Sequence, residues 1–156
     1  MRHAKKLLSL TAVMVLAACT DNGIFNPNDV AGTYQLTIWA SRSVPFTFSV
    51  AAGEDPELPN GGTWRVTGGS LELDTNGDFV ERNFITKTPT GGSSFSSDFV
   101  SIGTYSVTNF SIDFEAPAQN GFDARSFSGT VAEDGRISYT EFDSGTGQQL
   151  LYEYVP

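Results

Sequence analysis

Ser70-Leu71-Glu72-Leu73-Asp74-Thr75-Asn76-Gly77-Asp78-Phe79 decides how this chain is built. Leu71 and Leu73 alternate with Ser70 and Glu72, the period-two pattern of a strand with one buried face. Asn76-Gly77 then supplies the positive φ angles of a tight hairpin turn. Phe79 to Thr88 reads as the returning strand. The oxygen-bearing side chains of Asp74 to Asp78 also resemble the start of a calcium loop. A complete loop of that kind needs Gly at its sixth position and Glu at its twelfth, where this chain has Phe79 and Ile85. A plain hairpin is the reading kept, and no metal or cofactor site is expected.

The pattern repeats outward in both directions. Thr33 to Ala40 and Pro45 to Ala51 read as strands, followed by a loop from Gly53 to Gly62 carrying acids and prolines. Trp64-Arg65-Val66 and Ser70 to Leu73 flank Gly68-Gly69, a predicted bulge or bend. After the hairpin comes a Gly/Ser-rich loop at Thr90 to Ser97. Strands then follow at Phe99 to Thr108, Ser111 to Ala116, Ala124 to Ala132, Arg136 to Asp143 and Gln149 to Val155, separated by turns at Asn109, Pro117 to Gly121, Glu133 to Gly135 and Ser144 to Gly147. From Val30 onward no helical period appears. Eight to nine sequential strands with short connections predict an antiparallel up-and-down barrel, with a β-sandwich as the structural alternative. Such an interior is either filled by side chains or holds one small ligand.

The N-terminus follows a different logic. Arg2, Lys5 and Lys6 precede an apolar run from Leu7 to Ala18, too short for a membrane span of about 20 residues but right for a secretory signal peptide. Leu16-Ala17-Ala18-Cys19 resembles the lipobox of bacterial lipoproteins. That resemblance implies cleavage between Ala18 and Cys19 and acylation of the Cys19 thiol and amine, so that fatty acyl chains of the palmitate kind become the membrane partner. Cys19 is the single cysteine, so no intramolecular disulfide can form. Residues 1–18 are therefore expected to be a signal peptide, 19–29 a lipidated tether and 30–156 the barrel domain. Thr20 follows the cysteine and Asp comes one place later, which favours the outer membrane by the sorting rule of enteric bacteria.

Cleavage would change the charge and the available chemistry. It leaves six basic residues against 18 acidic ones, a balance of −12. Dispersed negative charge argues against nucleic acid and anionic lipid as partners. His3 is the single histidine and leaves with the signal peptide, so histidine-dependent acid–base, nucleophilic and zinc chemistry is excluded from the mature chain. A carboxylate pair is the remaining catalytic option. The acids, however, fall mostly in turns (Asp74, Asp78, Glu133, Asp134) or on outward faces (Glu72, Asp113), so no catalytic residues are assigned and an enzyme is not expected.

Val30 to Leu36, Gly69 to Leu73 with Asn76 to Phe79, and Gly103 to Val107 resemble lipocalin-like domains of bacterial lipoproteins over roughly residues 30–155. Gly32-Thr33-Tyr34 sits where lipocalins carry Gly-X-Trp on the first strand, with Tyr34 in place of the Trp. The resemblance implies a barrel that binds a small apolar or amphipathic molecule.

Inward alternation places Tyr34, Tyr105, Phe110, Ile112, Phe114, Phe127 and Tyr139 inside, either as a pocket wall or as a filled core. Arg125 alternates with Phe127 and Val131, and Glu141 with Ile137 and Tyr139. The two would enter the barrel from paired strands, as a structural ion pair, as groups that orient a ligand carboxylate, or as exposed residues at the mouth. Tyr34, Tyr105, Phe127, Tyr139, Arg125 and Glu141 are thus the candidate ligand-binding residues. The alternative to ligand binding is a structural or protein-interaction module with a filled core, and no particular protein partner is implied. The loops Gly53 to Gly62 and Thr90 to Asp98 would flank the entrance if both lie at one end.

Overall fold

The computed structural model describes residues 27–119, 123–143 and 146–156. The signal peptide, Ala18, Cys19 and the tether up to residue 26 lie outside the described residues, as do parts of the turns expected at Pro117 to Gly121 and Ser144 to Gly147.

The chain forms eleven strands: β1 (Gly32–Trp39), β2 (Arg42–Ser43), β3 (Phe46–Val50), β4 (Gly62–Leu73), β5 (Asp78–Pro89), β6 (Phe95–Ser96), β7 (Phe99–Thr108), β8 (Ser111–Ala116), β9 (Arg125–Val131), β10 (Ile137–Asp143) and β11 (Gln148–Val155). Eight of them close an antiparallel barrel in the order β1-β4-β5-β7-β8-β9-β10-β11, and β1 returns to β11. The up-and-down barrel expected from the alternation is therefore the fold. Every strand of the ring finds both neighbours within residues 32–155, so the ring closes on itself.

Three short strands decorate this ring. β2 and β3 lie between β1 and β4 in sequence; β2 pairs with the end of β1, and β3 with the start of β4. The division of β4 is informative. Its residues Ser70 to Leu73 pair with β1, but Gly62 to Val66 pair with β3. β1 and β4 thus part company towards one end, and β3 takes over there, so the barrel flares. β6 forms a two-residue ladder with β5 inside what reads from sequence as a simple loop. The glycine-marked irregularity is real: β4 and β5 slip register between Val66 and Gly68.

The ends differ in how the chain turns. At one end lie the Asp74–Asp78 hairpin, the turn at Asn109-Phe110, the turn at Ala132 to Arg136 and the C-terminus. Gly77 adopts φ 89°, as the tight hairpin requires. A helical turn, Pro27–Val30, precedes β1, where only a polar tether is expected from sequence. Proline at the first helical position needs no intrahelical N–H bond. Val30 is buried in the core, and the Tyr34 hydroxyl donates to its carbonyl at 2.6 Å. This end is sealed. The other end carries the long segments 51–61 and 90–98 and stays open.

The interior of the sealed half is apolar. Leu71, Leu73, Phe79, Ile112, Phe114, Val131 and Ile137 are buried there. Phe79 meets Phe114 edge-on at 5.1 Å between ring centroids, and Phe114 stacks on Phe127 at 4.8 Å. Burial of each such side chain stabilises the fold by about 1.5–3 kcal/mol. Phe110 does not join them. It follows Asn109, whose φ of 56° turns the chain, and the reversal leaves its ring 41% exposed.

Candidate functional site

Period-two alternation brings charged side chains into the open half from several strands. On β5, Phe79, Glu81, Asn83, Ile85 and Lys87 share the buried face. On β9 and β10, Arg125 and Glu141 share faces with Phe127 and Tyr139. All of these but Phe79 and Phe127 line a chamber of about 530 Å³ bordered by the loops at 54–57 and 97–98. The two loops flank one entrance, and the Ser97 hydroxyl ties them by donating to Glu57 at 3.0 Å. Trp39, Trp64, Phe99, Tyr139 and Tyr152 supply the aromatic wall. A wider depression of about 1300 Å³, running past Glu72, Val80, Ile102 and Thr104 on the outer wall, is more open and less suited to burying a small molecule.

The floor of the chamber is a network around Glu81, which is 1% exposed. Tyr139 and Tyr154 donate their hydroxyls to its Oε1 at 2.5 and 2.6 Å. Arg125 donates from Nη2 to Oε2 at 3.1 Å, and the same Nη2 lies 3.2 Å from Glu141 Oε1. One guanidinium therefore serves two carboxylates. It also lies over two aromatic rings, 4.6 Å from the Phe127 centroid and 5.8 Å from that of Phe99. Burial and the charge of Glu81 hold the phenols of Tyr139 and Tyr154 well above the ordinary tyrosine range, so both remain donors. Burial raises Glu141 above the usual carboxylate range; Arg125 opposes that shift and Glu81 adds to it.

The rim repeats the same arrangement. Lys87 Nζ lies 2.9 Å from Asp55 Oδ2 and 2.5 Å from Glu57 Oε2, and 4.5 Å above the Trp64 ring. Trp64 Nε1 donates to Asp55 at 2.7 Å, and the Glu57 backbone N–H donates to the same carboxylate at 2.9 Å. Burial opposes ionisation of Asp55, but these donors and Lys87 outweigh it and hold the carboxyl below its ordinary value. For Lys87, burial works against the charge, and its two carboxylates outweigh it to raise the ammonium above the ordinary lysine range.

Of the six residues singled out from sequence, four converge. Arg125, Glu141 and Tyr139 line the chamber, and Phe127 packs beneath Arg125 with its ring 4.5 Å from that of Tyr139. Tyr34 and Tyr105 sit in the sealed half, where their hydroxyls donate to the carbonyls of Val30 and Asp74; neither lines the chamber. Arg125 and Glu141 are a partly buried ion pair rather than fully exposed rim charges. Sequence reasoning missed Glu81, Asn83 and Lys87, because apolar residues stand on both parities of β5.

No cluster of metal-ligating side chains occurs among the described residues. No family model, curated protein or solved structure matches this chain.

Proposed function

We propose that this protein is a non-catalytic binding module that takes one small amphipathic molecule into the open end of its barrel. The observation that carries this reading is the contrast between a sealed, close-packed half and a chamber of about 530 Å³ with an aromatic wall. That volume falls in the range of small-molecule sites, about 300–1,000 Å³. The polar groups at its base are held by several strands at once, which is the preorganisation a binding site needs. The lipobox-like Leu16 to Cys19 supports a second part of the proposal, in which acyl chains on Cys19 hold the barrel at the outer membrane.

Native mass spectrometry of the protein purified gently from its own host tests the binding. A stoichiometric small-molecule adduct is expected. A clean mass, with no shift in melting temperature across a panel of amphipathic compounds, would overturn the reading in favour of a structural or interaction module. Metabolic labelling with an alkyne fatty acid tests the anchor: the wild-type chain should take up label and Cys19→Ser should not.

A further inference from the structure

Charge complementarity narrows the ligand class, and the narrowing rests on the binding reading above. The chamber is lined by six carboxylates (Glu54, Asp55, Glu57, Glu81, Asp98 and Glu141) and by two cations, Lys87 and Arg125. Each cation is already clasped by two carboxylates of the protein itself. The chamber thus contains two carboxylate–cation–carboxylate groups, each carrying one net negative charge when fully ionised.

An incoming carboxylate or phosphate would become a third anion at either group, and it would enter against Glu54 and Asp98 as well. An incoming cation would bring a group to neutrality. Inside a half-enclosed site such a difference is amplified, since charges there are poorly screened. The walls point the same way. Aromatic faces attract cations, and here they already do so for the protein's own groups, with Lys87 over Trp64 and Arg125 over Phe127.

An orphaned acceptor adds an independent sign. Asn83 lines the chamber, is 3% exposed, and its Oδ1 has no hydrogen-bond partner; the Arg125 Nε donor is buried without one as well. Buried acceptors without donors are rare in native proteins, and a donor-bearing guest supplies what this one lacks. We infer that the chamber selects a cationic amphiphile, a protonated amine on a compact apolar body. Glu141 is its counter-ion, because it shares Arg125 with Glu81 and keeps the more exposed side chain of the two, 29% against 2%.

The experiment compares octylammonium, octanol and octanoate, probes with one tail and three head groups. It uses the soluble domain (residues 20–156), which contains the complete self-closing barrel. Both tryptophans of the chain, Trp39 and Trp64, line the chamber, so intrinsic fluorescence reports occupancy directly. Octylammonium should bind most tightly and octanoate most weakly, with about tenfold or more between ammonium and carboxylate. Glu141→Gln should erase most of that preference, read as the ratio of octylammonium to octanol affinity. Glu133→Gln, the same charge change in an exposed turn at the sealed end, should preserve it.

Octanoate binding as tightly as octylammonium would overturn the cation inference while leaving the binding module standing. So would Glu133→Gln acting as strongly as Glu141→Gln, because the preference would then belong to the overall negative charge. Failure of all three probes to bind would overturn both readings. Should Glu141→Gln lower the melting temperature too far to be useful, the wild-type order of affinities still decides.

Discussion

The two halves of the barrel fill their interiors by opposite means. At the sealed end, alternate residues of β5, β8 and β10 deliver Phe79, Ile112, Phe114 and Ile137, and the space is closed by packed rings and aliphatic side chains. At the open end, the next inward positions of β5 deliver Glu81, Asn83 and Lys87, and the space is only partly filled. The hydroxyls show the same contrast. Tyr34 and Tyr105 spend theirs on nearby backbone carbonyls, whereas Tyr139 and Tyr154 aim theirs at one carboxylate. An apolar core gains stability from any well-fitting neighbour. A charge network must have its own partners, and its arrangement is therefore specific rather than merely cohesive.

Glu81→Ala is the harshest way to break this contrast. It leaves two deep phenols without an acceptor and Arg125 with half its counter-charge, so unfolding free energy should fall by about 3–5 kcal/mol in denaturant titration. Replacing the network as a whole sharpens the comparison. The fivefold variant Glu81→Leu, Arg125→Met, Glu141→Leu, Tyr139→Phe, Tyr154→Phe removes the two hydroxyls together with their acceptor and turns the open half towards the chemistry of the sealed half. It should fold with little loss, or even a gain, in melting temperature, while losing any preference for ammonium over octanol. A fivefold variant as unstable as Glu81→Ala would show that the network itself supports the fold.

In the sealed half, Phe114→Ala should cost about 3–5 kcal/mol through the cavity it leaves. Probe selectivity of the folded fraction should not change; altered selectivity would mean the two halves are mechanically coupled. Tyr34→Phe removes one hydrogen bond to the helical turn and should cost about 1 kcal/mol, measured by the same titration. Acidity separates rim from floor with smaller effects. Asp55 is held below its ordinary value, so its contribution is complete above about pH 4 and is lost as pH falls further through the folded-state pKa. Asp55→Asn should flatten that part of the melting curve. Glu141, faced by Arg125 of β9, Glu81 of β5 and Tyr152 of β11, titrates the other way. Raised in the folded state, it favours the fold at low pH, and that contribution fades as pH rises through its folded-state pKa. Octylammonium affinity should rise over the same interval, as the carboxylate ionises.

Strand order and most strand boundaries were legible because most ladders alternate and most turns carry Gly, Asn, Asp or Pro. Phe99 to Thr108 and Ser111 to Ala116 stand where the alternation puts them. β2 and β6, with two residues each, are too short to show a period. The helical turn at Pro27–Val30 is likewise too brief to reveal a face. Arg125 and Glu141 could be read as inward because their neighbours on the opposite parity are polar, apart from Phe142. β5 offers no such guide. Phe79 and Ile85 fall on one parity and Val80 and Phe84 on the other, so the strand's own pattern does not single out the face bearing Glu81, Asn83 and Lys87. Asp55 and Glu57 come from a loop, where no periodicity applies, and only the folded chain brings them to Lys87.

The meeting of β1 with β11, Gln35 opposite Val155, also puts the molecule on a timetable. A ribosome delivers β1 well before β11, so the ring stays open along one seam until Gln148–Val155 arrives. Contacts so distant in sequence are slow to form, because a long loop must be ordered before they contribute. A product truncated before Gln148 would keep two raw strand borders, on β1 and β10, and would be marked for aggregation or proteolysis.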